Sequence, residues 1–102
     1  MVWEGVEVKP EVYLVIEGSR GRCVLDPKIA RVLERVGNGE WLYPSFDKEG
    51  ISRSCGHKKL RAIEDSLGMK LSNGRNGSGS VLTKEGEHIV ALWQEAQKRA
   101  EG

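Results

Sequence analysis

A chain of 102 residues is long enough for one domain with a modest core and too short for two. Its 38% hydrophobic and 30% charged residues, with a formal net charge of +1, describe a globular protein and exclude a disordered one. No apolar run approaches the roughly 20 residues of a bilayer span. The opening MVWEGVEVKP lacks the basic-then-apolar order of a secretion signal, so a cytoplasmic protein is expected.

Residues 11–25 predict a hairpin. Val12, Leu14 and Ile16 alternate with Tyr13, Val15 and Glu17, GSRG supplies the turn, and RCVL returns. A helix over 26–37 follows, with Asp26 as cap, Pro27 at the first helical position and Gly37 as terminator. Ile29, Val32, Leu33 and Val36 repeat at i, i+3, i+4, i+7 and make its buried face, leaving Arg31, Glu34 and Arg35 to solvent. Trp41, Leu42 and Phe46 are expected core residues, around a short helix that begins at Pro44 and is stopped by Gly50.

A longer helix, capped by Ser52 or Ser54 and closed by Gly68, completes a pair over 44–67. Gly56, Leu60 and Ile63 share one of its faces; Arg53, His57 and Arg61 share another, with Ser54 and Lys58 beside them. Two helices about a tight glycine turn predict a helix-turn-helix. MKLS and SVL predict two short strands, making residues 69–82 a wing with NGRNGSG as its loop. The last helix spans 83–100, with Thr83 as cap, Glu85 and Glu87 in its first turn, and Lys98 and Arg99 in its last. Ile89, Leu92, Trp93 and Ala96 form its apolar stripe. The fold class expected is α+β: a winged helix-turn-helix with an N-terminal hairpin and a long C-terminal helix.

The modest net charge hides an asymmetry. Residues 48–84 hold eight lysines and arginines against three acids, a net of +5, and the rest of the chain balances at −4. Such a division is the footprint of a face that meets a polyanion. Catalysis is not expected. Cys55 and His57 stand two positions apart on a helix, so they point to different sides, and no acid is placed to orient the imidazole. Cys23 and Cys55 are isolated, as are His57 and His88, and neither spacing suits a metal; no cofactor is expected. The glycine-rich stretch opens no helix with a phosphate-loop signature.

The stretch GRNGSGSVLTKEGEHIVALW resembles the wing and following helix of the molybdate-responsive ModE-type regulators, relatives of LysR-type DNA-binding domains. Val81, Leu82, Thr83, Glu85 and Gly86 carry the likeness. LDPKIARVLERV is similar to the family's first helix, and GIS at 50–52 to the start of its recognition helix. Ser45 and Phe46 stand where the family has an Ala-Ala pair, and Gly56-His57 where it has Ala-Trp.

The resemblance implies a transcriptional regulator that binds double-stranded DNA as a homodimer. The pairing would run through Ile89, Leu92, Trp93 and Ala96. Ser52, Arg53, Ser54, His57, Lys58 and Arg61 would then face the major groove, with Lys70 and Arg75 on the wing meeting the backbone. A winged-helix module that binds protein instead is the alternative.

Overall fold

The computed structural model describes residues 11–74 and 80–101. Within them the chain is α+β, with four helices and two small antiparallel hairpins. In chain order these are β1 (Leu14–Gly18), β2 (Gly21–Leu25), α1 (Pro27–Gly37), α2 (Leu42–Lys48), α3 (Arg53–Leu67), β3 (Ser72–Gly74), β4 (Ser80–Leu82) and α4 (Lys84–Glu101). The expected loop residue Arg75 lies outside the described residues.

The first hairpin follows its alternation. Leu14 and Ile16 pack against the core while Tyr13, Val15 and Glu17 face out. Pairing runs from Leu14↔Leu25 to Gly18↔Gly21, leaving only Ser19 and Arg20 in the turn. Asp26 caps α1 by accepting the Lys28 N–H at 2.8 Å, with Pro27 beginning the helix. Gly37 is the last residue of α1 and does not terminate it. The chain turns at Asn38, and Gly39 has the positive φ of 94°.

Helix α2 begins at Leu42, two residues before the proline expected to open it, and Trp41 precedes it half exposed and outside the core. Its end is a Schellman turn. Gly50, at φ 71°, donates to the Asp47 carbonyl at 3.1 Å, and Ile51 donates to the Phe46 carbonyl at 2.9 Å. Only a residue free of a Cβ enters that backbone region without strain. The turn reverses the chain into α3, whose Ser52 cap accepts from the Cys55 N–H at 3.3 Å.

The α2–α3 pair is held by one close contact. Phe46 is fully buried, and a Cβ on Gly56 would stand 2.6 Å from its ring. Leu60 and Ile63 continue that face of α3 into a core shared with Leu25, Ile29, Leu33 and Leu71. Met69–Leu71 is not strand, contrary to expectation. Leu71 is buried, with its N–H on the Glu64 carboxylate at 2.8 Å and its carbonyl accepting from Thr83 N–H at 3.0 Å. These bonds replace a sheet ladder.

Arg31 and Arg35 do not stay in solvent either. Both reach from α1 to the Glu49 carboxylate that ends α2, at 2.7 and 3.1 Å. Burial alone would push the Glu49 carboxyl up; the two guanidiniums outweigh it and hold its pKa below the usual glutamate value. In α4, Ile89 and Trp93 enter the chain's own core together with Val90, and the Trp93 indole donates to the Val12 carbonyl at 3.1 Å. Leu92 is 44% exposed and Ala96 half-buried, so the expected stripe is divided between core and surface.

Two stability measurements follow from these contacts. Gly56→Ala should destabilise the fold by about 1–3 kcal/mol, because the enclosed Phe46 ring has no room to yield and this outweighs the roughly 1 kcal/mol gain in helix propensity. An unchanged or raised denaturation midpoint would remove the contact from its central place. The second concerns pH. Since the folded pKa of Glu49 is depressed, its contribution is complete above the unfolded value near 4.5 and is lost as pH falls through the folded one. Glu49→Gln should therefore be less stable than wild type at pH 7, with the gap in urea midpoint shrinking at pH 3. A gap of constant size would assign the loss to packing.

Candidate nucleic-acid interface

The Schellman turn and the Phe46–Gly56 contact fix α3 with one face inward, so its opposite face is presented whole. Ser52, Arg53, Ser54, Lys58 and Arg61 are all exposed on it, and Lys70 is exposed just beyond its end. His57 is different. It is half-buried, its Nε2 stands 2.9 Å from the Tyr43 hydroxyl, and its ring meets Tyr43 and Phe46 edge-on at 5.2 and 5.8 Å. The imidazole is thus part of the α2–α3 packing.

Tyr43 also organises Arg53, whose guanidinium carbon sits 4.9 Å from the Tyr43 ring centre. A cation over an aromatic face is held in orientation without losing its charge. Arg53 also pairs with Asp47 at 3.5 Å. Both side chains are mostly exposed there, and an ion pair in water of that kind is worth little and is readily exchanged. Lys59, by contrast, turns back to the Asp26 carboxylate at 3.3 Å, and Lys48 turns to Glu40. Those two cations serve the fold. The Lys48 ammonium holds the Glu40 carboxyl below its usual range.

Among the described residues Lys58, Arg61 and Lys70 have no acidic partner. Arg61, Lys70 and His57 line one open groove of about 670 Å³ along α3, with Leu42, Leu60 and Met69 as its apolar part. Glu64 and Asp65 line the same groove, Glu64 bonded to the Leu71 N–H; cations without an ion pair suit phosphate oxygens, and the arginine fork suits base edges as well. Positions 53, 57 and 61 recur at every fourth residue, so one groove of a duplex could meet all three.

The β3–β4 hairpin packs on α1 and α4, and its Ser72 reaches the groove along α3. Thr83 accepts the Gly86 N–H at 3.0 Å, opening α4, and donates to the Lys70 carbonyl at 2.7 Å. Pairing is short, Ser72↔Leu82 to Gly74↔Ser80. The structure therefore exposes Ser52, Arg53, Ser54, Lys58, Arg61 and Lys70 and brings Arg61 and Lys70 to one groove, with His57 partly withdrawn. Two side chains beside this face were not singled out in the sequence. Tyr43 was hidden in WLYP as one aromatic among several, and Arg20 as one residue of a turn. Among the described residues no cluster of His, Cys, Asp or Glu could hold a metal ion, and no helix is long and apolar enough to cross a membrane. No protein-family model matches the chain, and no characterised protein is similar enough to it to indicate kinship.

Proposed function

We propose that the protein is a winged helix-turn-helix regulator that binds double-stranded DNA. Helix α3 enters the major groove, and the β3–β4 hairpin lies as a wing along the flanking backbone. The observation that carries this reading is the set of cations on α3 and at the hairpin base that the fold leaves unpaired. The chain pairs Lys48 and Lys59 with its own acids, whereas among the described residues Lys58, Arg61 and Lys70 are exposed and make no ion pair. Burying charges against a phosphate backbone releases condensed counterions, which is the main source of sequence-independent affinity. Base discrimination would then fall to Arg53, Arg61 and His57, held in place by Tyr43.

Titration of a labelled duplex at several salt concentrations tests this. Affinity should fall with salt at a log–log slope of about −0.9 for each phosphate contacted, and Lys58→Ala and Arg61→Ala should each flatten it by up to that amount. No duplex binding, or binding indifferent to salt, would sink the reading and favour a protein-binding module.

Pairing of two chains through α4 is part of the same proposal. The 18-residue helix places Ile89 and Trp93 inward while Leu92 stays on the surface with Ala96 half-covered, an edge on which a second α4 could settle. Two α3 helices would then sit about 34–36 Å apart, one duplex turn, or at a multiple of it. Sedimentation equilibrium at micromolar concentration should give a two-chain mass, and Leu92→Glu should return it to one. A one-chain mass for the unaltered protein refutes the pairing.

A further inference from the structure

The turn of the N-terminal hairpin is anchored to the far end of α3. The last carbonyls of a helix lack partners within it, and here the turn supplies them. Arg20 N–H donates to the Ser66 carbonyl at 3.0 Å, and the Ser19 hydroxyl reaches the Leu67 carbonyl at 3.4 Å. Gly18 lies so close that a Cβ there would stand 2.2 Å from the Ser66 oxygen. All three contacts use backbone, a hydroxyl or a missing side chain. None uses the Arg20 guanidinium.

That side chain runs instead past Gly68, with Nε 3.5 Å from where a Cβ on that residue would be, into the groove that Arg61 and Lys70 also line. Among the described residues it has no acidic partner. The groove holds two acids, and one of them, Glu64, is committed to the Leu71 N–H. Three cations therefore face a groove in which Asp65 is the one acid without such a bond. A cation over the C-terminal end of a helix complements its dipole, and α3 has no basic residue of its own in its last turn; the guanidinium, lining the groove beside Arg61 and Lys70, is also placed to meet an anion there.

We propose that Arg20 is a phosphate contact of the DNA interface, so that the N-terminal hairpin is a third binding element beside α3 and the β3–β4 hairpin. The inference rests on the DNA reading above. Its geometry extends the basic side past the C-terminal end of α3, where Arg20, Arg61 and Lys70 would follow one strand of the backbone. Arginine donates in a fixed fork to phosphate oxygens, and such contacts set register without reading sequence.

The test is the salt titration of wild type, Arg20→Ala, Arg20→Gln and Arg20→Lys against a duplex of arbitrary sequence, with a melting curve for each protein. Loss of one phosphate contact should flatten the slope by about 0.9, so the advantage of wild type over Arg20→Ala should shrink about 3.5-fold between roughly 50 and 200 mM salt. Arg20→Lys should keep most of the slope, and melting should shift little in any variant, since the anchoring bonds are made by the backbone and the charge adds only a weak interaction with the helix dipole. Arg20→Gln loses the charge but keeps a long polar side chain, and it gives the same readout if alanine loosens the turn. Salt-dependent binding by wild type with an identical slope for both uncharged variants overturns the role of Arg20 alone. Failure of wild type to bind in a salt-dependent way overturns the DNA reading and this inference together.

Discussion

The contact of the Phe46 ring with Gly56 is the constraint from which the rest of the architecture proceeds. It lets α2 approach α3 more closely than any side chain at position 56 would allow, and it fills the space between them with an aromatic ring that is wholly enclosed. With that face of α3 committed inward, Leu60 and Ile63 follow into the core. Arg53, Lys58 and Arg61 are then outward by helical geometry, without any interaction having to hold them there. Packing on one side decides exposure on the other. The same ring supports His57 edge-on, so a single buried side chain sets both the angle of the helix pair and the pose of one residue on its outer face.

Around this pair the fold is stitched mostly by helix ends. Thr83 opens α4 and ties the Lys70 carbonyl; Leu71 is bonded both to Glu64 of α3 and to Thr83. The first hairpin closes the last carbonyls of α3, and Glu49 at the end of α2 gathers Arg31 and Arg35 from α1. Termini are where backbone groups lack partners within a helix, so they are natural places for a small chain to spend its polar side chains. The consequence for dynamics is that the base of the β3–β4 hairpin is fixed on both sides by bonds outside its own short ladder. A hairpin of three-residue strands has little stability by itself, and here it does not need it.

Local punctuation was legible in the sequence. Asp26 with Pro27, Gly50, Gly68 and Thr83 each stand where their backbone preference placed them, and of the two serines offered for the α3 cap Ser52 takes it. The alternation of the first hairpin and the buried faces of α1 and α3 were equally plain, because period 2 and period 3.6 are properties of neighbouring residues. Two boundaries were misread locally, Gly37 for Gly39 and Pro44 for Leu42; the other failures depended on distant partners. Trp41 looks like core by hydrophobicity but precedes α2 on the outside; Arg31 and Arg35 look solvated until Glu49 arrives from another helix. Leu92 fits the stripe of α4 as well as Val90 does by composition, yet Val90 is in the core, where α1 packs on that helix, and Leu92 is not. The candidate interface was legible as a region and less so residue by residue. Tyr43 gains its role only from the side chains of α3 that fold over it, and Arg20 sits 46 positions before the Ser66 carbonyl it meets.

Charge shows the same limit in a form that bears on function. The basic stretch 48–84 suggested a polyanion face by its net charge, but net charge does not separate cations that stabilise the fold from those available to a partner. Folding makes that separation. Lys48 and Lys59 are drawn to Glu40 and Asp26, both outside the stretch, so part of the sequence asymmetry is cancelled within the protein. Arg53 is held by a weak pair and an aromatic face, an arrangement that keeps it oriented while a stronger anion could still displace Asp47. Arg20, from outside the basic stretch, is added to the groove. The result is a smaller set of cations than the sequence count, of which Arg20, Arg61 and Lys70 line one groove. For recognition this set matters more than the total, because a cation already paired must give up its partner before meeting a phosphate, whereas an unpaired one gives up only water and counterions.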